Sequence, residues 1–249
     1  MEIKIDGKEV EVCPGETILE VCRRENIPIP TLCYHEAFGG QGACRMCMVE
    51  VKEGDCTRMV ASCTYPIHQE IEVITMSEKI NRVRSTLAML QYRRAPNSEY
   101  IRQLYDTYHV EPMPLALVDP MEKCILCRLC VNACEQMGRN AIAMVRRGID
   151  KKVSTPFDEA ADDCIGCMAC VQVCPTGAIQ VMEEAGKRVI WNKSFDLITC
   201  DRCGKPFATR DEIAYMEKKT NLYEYEHLCE RCRPKAMAKK MEALNRDNS

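Results

Sequence analysis

The sequence predicts an α+β protein made of several small lobes, each fastened by cysteines, and three observations carry that reading. Residues 2–12 alternate about an Asp6-Gly7 turn and lead into a capped helix. CILCRLCVNAC (124–134) returns as CIGCMACVQVC (164–174), a 40-residue repeat. Two C-x-x-C pairs, Cys200/Cys203 and Cys229/Cys232, close the chain's last segment. Composition agrees: 19 cysteines but only 4 phenylalanines and 1 tryptophan in 249 residues suit small cross-linked or metal-bound lobes better than one large core.

The lobes follow in order. In the hairpin, Ile3 and Ile5, then Val10 and Val12, are the alternating apolar positions. Thr17 and Glu20 form a capping box that opens a helix to about Glu25, which Pro28 and Pro30 end. Strands are predicted at 47–52, 58–62 and 70–75, completing an α+β domain over residues 1–76. A helical connector spans 77–120. It holds one helix over 77–93, with Ile80, Val83, Leu87 and Leu90 as its apolar stripe, and another over 99–108, using Ile101, Leu104 and Tyr108. The run VEPMPLALVDP (110–120) ends it. The repeat occupies 121–185. Residues 186–249 form a four-cysteine segment with a helix near 210–219 and a basic, solvated tail helix.

Disulfides and metals are the two possible fasteners. MEIKIDGKEVEV has no apolar signal region, and no stretch approaches 18 apolar residues, so the expectation is a cytoplasmic protein without a membrane span. Thiols stay reduced there, and clustered cysteines bind metal. The formal charge is −3. Sixteen cysteines bound as thiolates to four centres would carry it to roughly −11, which argues against nucleic-acid binding.

The repeat's C-x2-C-x2-C-x3-C spacing gives three thiolates to one 4Fe–4S cluster and a fourth to its twin. One cluster is therefore assigned to Cys124, Cys127, Cys130 and Cys174, and the other to Cys164, Cys167, Cys170 and Cys134. Pro175 follows the second motif as expected; Glu135 takes that place in the first. Cys33, Cys44, Cys47 and Cys63 stand around Gly39, Gly40 and Gly42. Four cysteines about a glycine-rich loop fit a 2Fe–2S cluster, because glycines let backbone N–H groups approach the sulfurs.

GACRMCMVEV (42–51) resembles the 2Fe–2S loop of the complex I electron-input subunit, of the small diaphorase subunit of NAD-linked nickel–iron hydrogenases, and of the N-terminal part of iron-only hydrogenases. The repeat resembles the dicluster domain of the same proteins. The resemblance covers about residues 1–185. It implies a β-grasp 2Fe–2S domain, a helical connector and a ferredoxin-like 2×4Fe–4S domain, working beside a flavin- and NAD(P)-handling diaphorase subunit. Many relatives place one histidine and three cysteines in the connector for a further cluster. No cysteine lies between Cys63 and Cys124 here, and His109 alone cannot replace the set. The electron wire is then one cluster shorter, or another subunit bridges the gap.

Cys200, Cys203, Cys229 and Cys232 read as a ribbon-like metal site. C-x2-C-G favours a closed zinc site over a fourth iron–sulfur cluster, with His227 a lesser candidate ligand. CDRCGKPFAT resembles the tail of some hydrogenase- and formate-dehydrogenase-linked polyferredoxins. Of the remaining cysteines, Cys22 is expected in the core, Cys13 packed at a strand end and Cys56 exposed at a hairpin tip. Arg45, Lys123 and Arg128 flank cluster cysteines, either to offset charge or simply as solvated residues. The expected function is single-electron relay between a diaphorase subunit and a hydrogenase, or else a formate dehydrogenase, with no catalytic residue of its own. A free-standing polyferredoxin and a DNA-binding regulator are the rivals.

Overall fold

The computed structural model describes residues 1–110, 116–219 and 227–247. Two compact units divide the chain. One comprises Met1–Ala133, Arg146–Lys152 and Val173–Ala178; the other comprises Cys134–Val145, Val153–Gln172 and Ile179–Ser249. No disulfide links any of the nineteen cysteines.

In the first unit, β1 (Glu2–Ile5) and β2 (Lys8–Glu11) pair antiparallel with Ile3 opposite Val10. Asp6 and Gly7 turn between them at φ of 50° and 82°. The helix α1 (Ile18–Arg24) begins at the predicted Thr17/Glu20 capping box. Two short strands follow, β3 (Tyr34–His35) and β4 (Gly39–Gly40), then β5 (Met48–Glu53), β6 (Cys56–Ala61) and β7 (Glu72–Ile74). The five-stranded sheet runs β2-β1-β7-β5-β6, with β1 and β7 parallel and every other pair antiparallel. Ile18, Val21 and Cys22 of α1 share one apolar cluster with Ile3, Ile5, Val49, Val51 and Val73, so the sheet wraps its helix as the β-grasp expectation requires. Asp6 fastens the far end of β7, accepting from the Thr75 amide at 2.8 Å and its hydroxyl at 2.5 Å.

The connector forms α2 (Glu78–Arg94) and α3 (Glu99–Thr107), each N-capped by a serine, Ser77 and Ser98. The buried face of α2 follows the predicted stripe in part: Val83 and Leu87 pack half-buried against apolar clusters. Ile80, Arg84 and Ala88 are buried, whereas Leu90 is 46% exposed. Arg84 explains the shift: its Nη2 donates to the Met48 carbonyl at 3.0 Å, which turns the helix so that this long side chain faces inward. His109 sits exposed in the turn after α3 at φ 44°. Residues 111–115 of the proline-rich run lie outside the described residues.

The repeat supplies α4 (Leu129–Gln136), β8 (Ala143–Val145), β9 (Lys152–Ser154) and α5 (Ala169–Gln172). Next comes a sheet the sequence reading did not anticipate. β10 (Val181–Glu184), β11 (Lys187–Ile190), β12 (Lys193–Thr199) and β13 (Pro206–Thr209) pair antiparallel in sequence order. Two-residue turns at Ala185-Gly186 and Trp191-Asn192, all with positive φ, join its first three strands. The helices α6 (Arg210–Lys219) and α7 (Arg233–Asp247) follow. Residues 220–226, in the gap before Cys229, lie outside the described residues, as do the last two of the tail.

Candidate metal centres

The first quartet is arranged as two pairs. Cys33 and Cys44 place their sulfurs 3.4 Å apart, and the Cys44 amide donates to the Cys33 sulfur at 3.3 Å. Cys47 and Cys63 form the second hydrogen-bonded pair. In each pair one thiol is held down, to about 6 for Cys33 and for Cys47, chiefly by the other, whose own pKa rises. Backbone N–H groups of Gln41, Ala43 and Cys44 help hold Cys33 down, and the Gly42 amide opposes the rise at Cys63. The glycine expectation therefore has a geometric basis. A Cβ on Gly40 would lie 2.1 Å from the Cys63 carbonyl oxygen, and Gly42 has φ +61°. Ser62 adds a buried hydroxyl that helps hold Cys47 low. Two thiolates for each of two irons is the donor set of a 2Fe–2S group.

The repeat survives in three dimensions at its cysteine loops. Amides two positions on bear on the first two sulfurs of each motif: Leu126 on Cys124 and Leu129 on Cys127, then Gly166 on Cys164 and Ala169 on Cys167. Leu126 and Arg128 take positive φ, as do Gly166 and Met168. The fourth cysteines match as well. Ala141 N donates to the Cys134 sulfur at 3.2 Å and Ala178 N to the Cys174 sulfur at 3.3 Å, which explains the Ala-Ile pair after each motif. Each fourth cysteine bears on the thiols of the other motif. Burial pushes the Cys127 thiol up to about 11, and Cys174, Cys124 and Cys33 push the same way. Cys134 bears on Cys164, Cys167 and Cys170. Thiol sets that receive backbone N–H donors and lie largely out of water fit 4Fe–4S groups.

The loops carrying the two motifs are supported differently. In the first, the Glu122 carboxylate accepts from the amides of Lys123 at 2.9 Å and Cys124 at 2.8 Å, while Arg94 Nε reaches the Cys124 carbonyl at 3.3 Å. In the second, three consecutive carbonyls are taken by side chains of the C-terminal sheet. Lys193 donates to Cys164 O at 2.8 Å, Thr209 to Ile165 O at 2.5 Å and Arg188 to Gly166 O at 2.6 Å. Motif spacing could not reveal Lys193, Thr209, Arg188 or Arg94. The alternation in KRVI-WN-KSFDLIT was the available signal for the hairpin that delivers two of them.

The last quartet is compact. The sulfurs of Cys200, Cys203, Cys229 and Cys232 all lie within 4.8 Å of one another, and Cys203 and Cys229 are 3.8 Å apart. That separation is the edge expected of a tetrahedron with metal–sulfur bonds of about 2.3 Å. A cube would hold its thiolates on four separate irons, farther apart. Gly204 at φ +68° turns the knuckle, with its amide on the Cys200 carbonyl at 2.8 Å. The Cys229 amide is the chief cause holding the Cys200 thiol down at about 6. His227 lies outside the quartet; its carbonyl accepts from the Asp201 amide at 3.1 Å. Cys22 is fully buried and Cys56 exposed, as expected, but Cys13 is exposed rather than packed.

Comparison with known proteins identifies two domains. Residues 1–78 match the 2Fe–2S iron–sulfur cluster binding domain and residues 123–178 the 4Fe–4S dicluster domain. The chain carries both domains, in that order. It is 32% identical over 204 residues to the NADPH-Fe(3+) oxidoreductase subunit alpha of Geobacter sulfurreducens, covering 72% of this chain and 24% of that one. It is 30% identical over 210 residues to the NADP-reducing hydrogenase subunit HndD of Solidesulfovibrio fructosivorans, covering 72% and 36%. A crystal structure of NAD+-reducing [NiFe]-hydrogenase in the H2-reduced state superposes with a TM-score of 0.60 at 26% identity, over 71% of this chain and 85% of that one. These bear out the resemblance read from the 2Fe–2S loop and the repeat. The chain spans about a quarter to a third of the length of these two curated relatives. No helix among the described residues is long and apolar enough to cross a membrane.

Proposed function

We propose that this chain is the iron–sulfur electron-transfer subunit of a multisubunit NAD(P)-linked oxidoreductase in the cytoplasm, relaying single electrons between a flavin-bearing diaphorase subunit and a hydrogenase. The carrying observation is one apolar cluster in the first unit. Cys33 and Cys44 lie in it with Met46, Ile101 and Ile125, and Cys127 packs against it. A 2Fe–2S group on Cys33, Cys44, Cys47 and Cys63 and a 4Fe–4S group on Cys124, Cys127, Cys130 and Cys174 would thus be held on either side of one shared wall. This supports the shorter wire, with no bridging subunit needed at that step. Bound iron–sulfur groups supply the one-electron chemistry. The chain's own residues hold them, keep water away and aim amides at their sulfurs.

The second 4Fe–4S group belongs on Cys134, Cys164, Cys167 and Cys170. For Cys200, Cys203, Cys229 and Cys232 we propose structural zinc, on the strength of the compact tetrahedral spacing. Anaerobic metal analysis tests the set: about ten irons and one zinc per chain are expected, and about fourteen irons without zinc would move the terminal quartet into the wire. Size-exclusion chromatography of native extract tests the subunit role. The expected species is far larger than 28.4 kDa, and a lone 28.4 kDa species would sink it.

A further inference from the structure

The only tryptophan of the chain stands where a turn residue is expected. Trp191 and Asn192 form the two-residue connection between β11 and β12, at φ of 51° and 59°. Turns of this kind favour Asn and Gly, and a bulky aromatic residue at positive φ is strained. Something must hold it there. Its side chain lines a cavity together with Cys134, Cys164, Cys167, Cys170 and Arg139. Its indole N–H is buried and finds no hydrogen-bond acceptor among the described residues. A buried donor left unsatisfied is costly, so its position asks for an acceptor.

We propose that Trp191 completes the second four-cysteine site: its indole N–H donates to a sulfur of the group held there and raises that group's reduction potential. This rests on reading Cys134, Cys164, Cys167 and Cys170 as a 4Fe–4S site. An added electron makes the cluster and its thiolates more negative, and a donor on sulfur stabilises that state. Lys193, on the same hairpin, and Arg188 act in the same direction through the carbonyls of Cys164 and Gly166. A carboxylate stands near each set, Glu122 at Cys124 and Glu212 at Cys167, but the first loop receives its bonds from Arg94 alone among these cations. The second 4Fe–4S site is therefore the higher-potential of the two, and electrons entering the pair settle on it.

The test compares wild-type protein with Trp191→Phe, both isolated anaerobically as the full chain. Iron is counted, and a redox titration is followed by electron paramagnetic resonance. The variant is expected to keep its iron. Its higher-potential 4Fe–4S signal should become about tenfold harder to reduce, a fall of 59 mV for a one-electron couple, while the other signals stay in place. Unchanged potentials at full iron content overturn the proposal, as does a shift confined to the lower-potential signal. If Trp191→Phe loses iron, wild-type fluorescence decides. Emission from the sole tryptophan should be at least tenfold dimmer in the loaded protein than after iron is chelated away; equal emission overturns the proposal. A wild-type chain with iron for only one 4Fe–4S group would instead overturn the underlying reading.

Discussion

The two halves of the cysteine repeat share sulfurs, amides and backbone angles, yet they are mounted in opposite ways. The loop at Cys124 is held by its neighbours in sequence and by the connector: Glu122 bonds its amides, and Arg94 spans the carbonyls of Cys124, Ile149 and Lys151. The loop at Cys164 is held by the C-terminal sheet, whose Lys193, Thr209 and Arg188 take three carbonyls in succession. Cysteine spacing determines what kind of group a loop can bind. The charges outside the loop determine how readily that group takes an electron.

The sharpest way to break this difference is Arg188→Met. Arg188 is 5% exposed and also bonds Phe207 O and the carboxylates of Glu183 and Glu212. Removing it strands the Gly166 and Phe207 carbonyls and one side of the partly exposed Glu212, and should cost about 3 kcal/mol. Thermal unfolding and iron counting should show loss of one 4Fe–4S group while the 2Fe–2S signal persists. Gly166→Ala comes next. At φ +69° its new methyl group would meet Phe195 and Thr209 at 3.0 Å, a strain of about 1–3 kcal/mol. Urea titration should reveal it. Leu126, the counterpart in the first loop, already carries a side chain at φ 58°. Arg94→Met attacks the first loop. The Arg94 side chain is 18% exposed, so water relieves some of the carbonyls it leaves, and the loss should fall near the low end of about 1–3 kcal/mol. Glu122→Gln has the smallest effect. It keeps an acceptor for the two amides but removes the charge at a side chain 27% exposed, worth under about 1 kcal/mol. It should raise the lower 4Fe–4S potential in a redox titration and narrow the gap between the two.

Much of the first unit was legible because its signals are local. Asp6-Gly7, the Thr17/Glu20 box and the glycines beside Cys63 each act within a short stretch of chain or at a cysteine already marked by spacing. The stripe on α2 held at Ile80, Val83 and Leu87 and failed at Leu90, because Arg84 looks like a surface residue until the Met48 carbonyl, 36 residues away, is seen beneath it. The C-terminal sheet was missed for a related reason. Its strands are short and mostly polar on one face, and the cysteines on either side drew the reading toward metal. Arg188 and Thr209 gain their roles only through carbonyls 22 and 44 residues earlier, a relation that spacing does not encode.

The Trp191-Asn192 turn also bears on any effort to make this protein sturdier. Substituting toward common turn sequences would put asparagine and glycine there, relieving an aromatic residue from positive φ and tightening the β11–β12 hairpin. Such a variant should melt later and express better. By the argument above it would also lose the indole that reaches the second cluster site, so the most stable form of this hairpin is not the one that best serves electron relay.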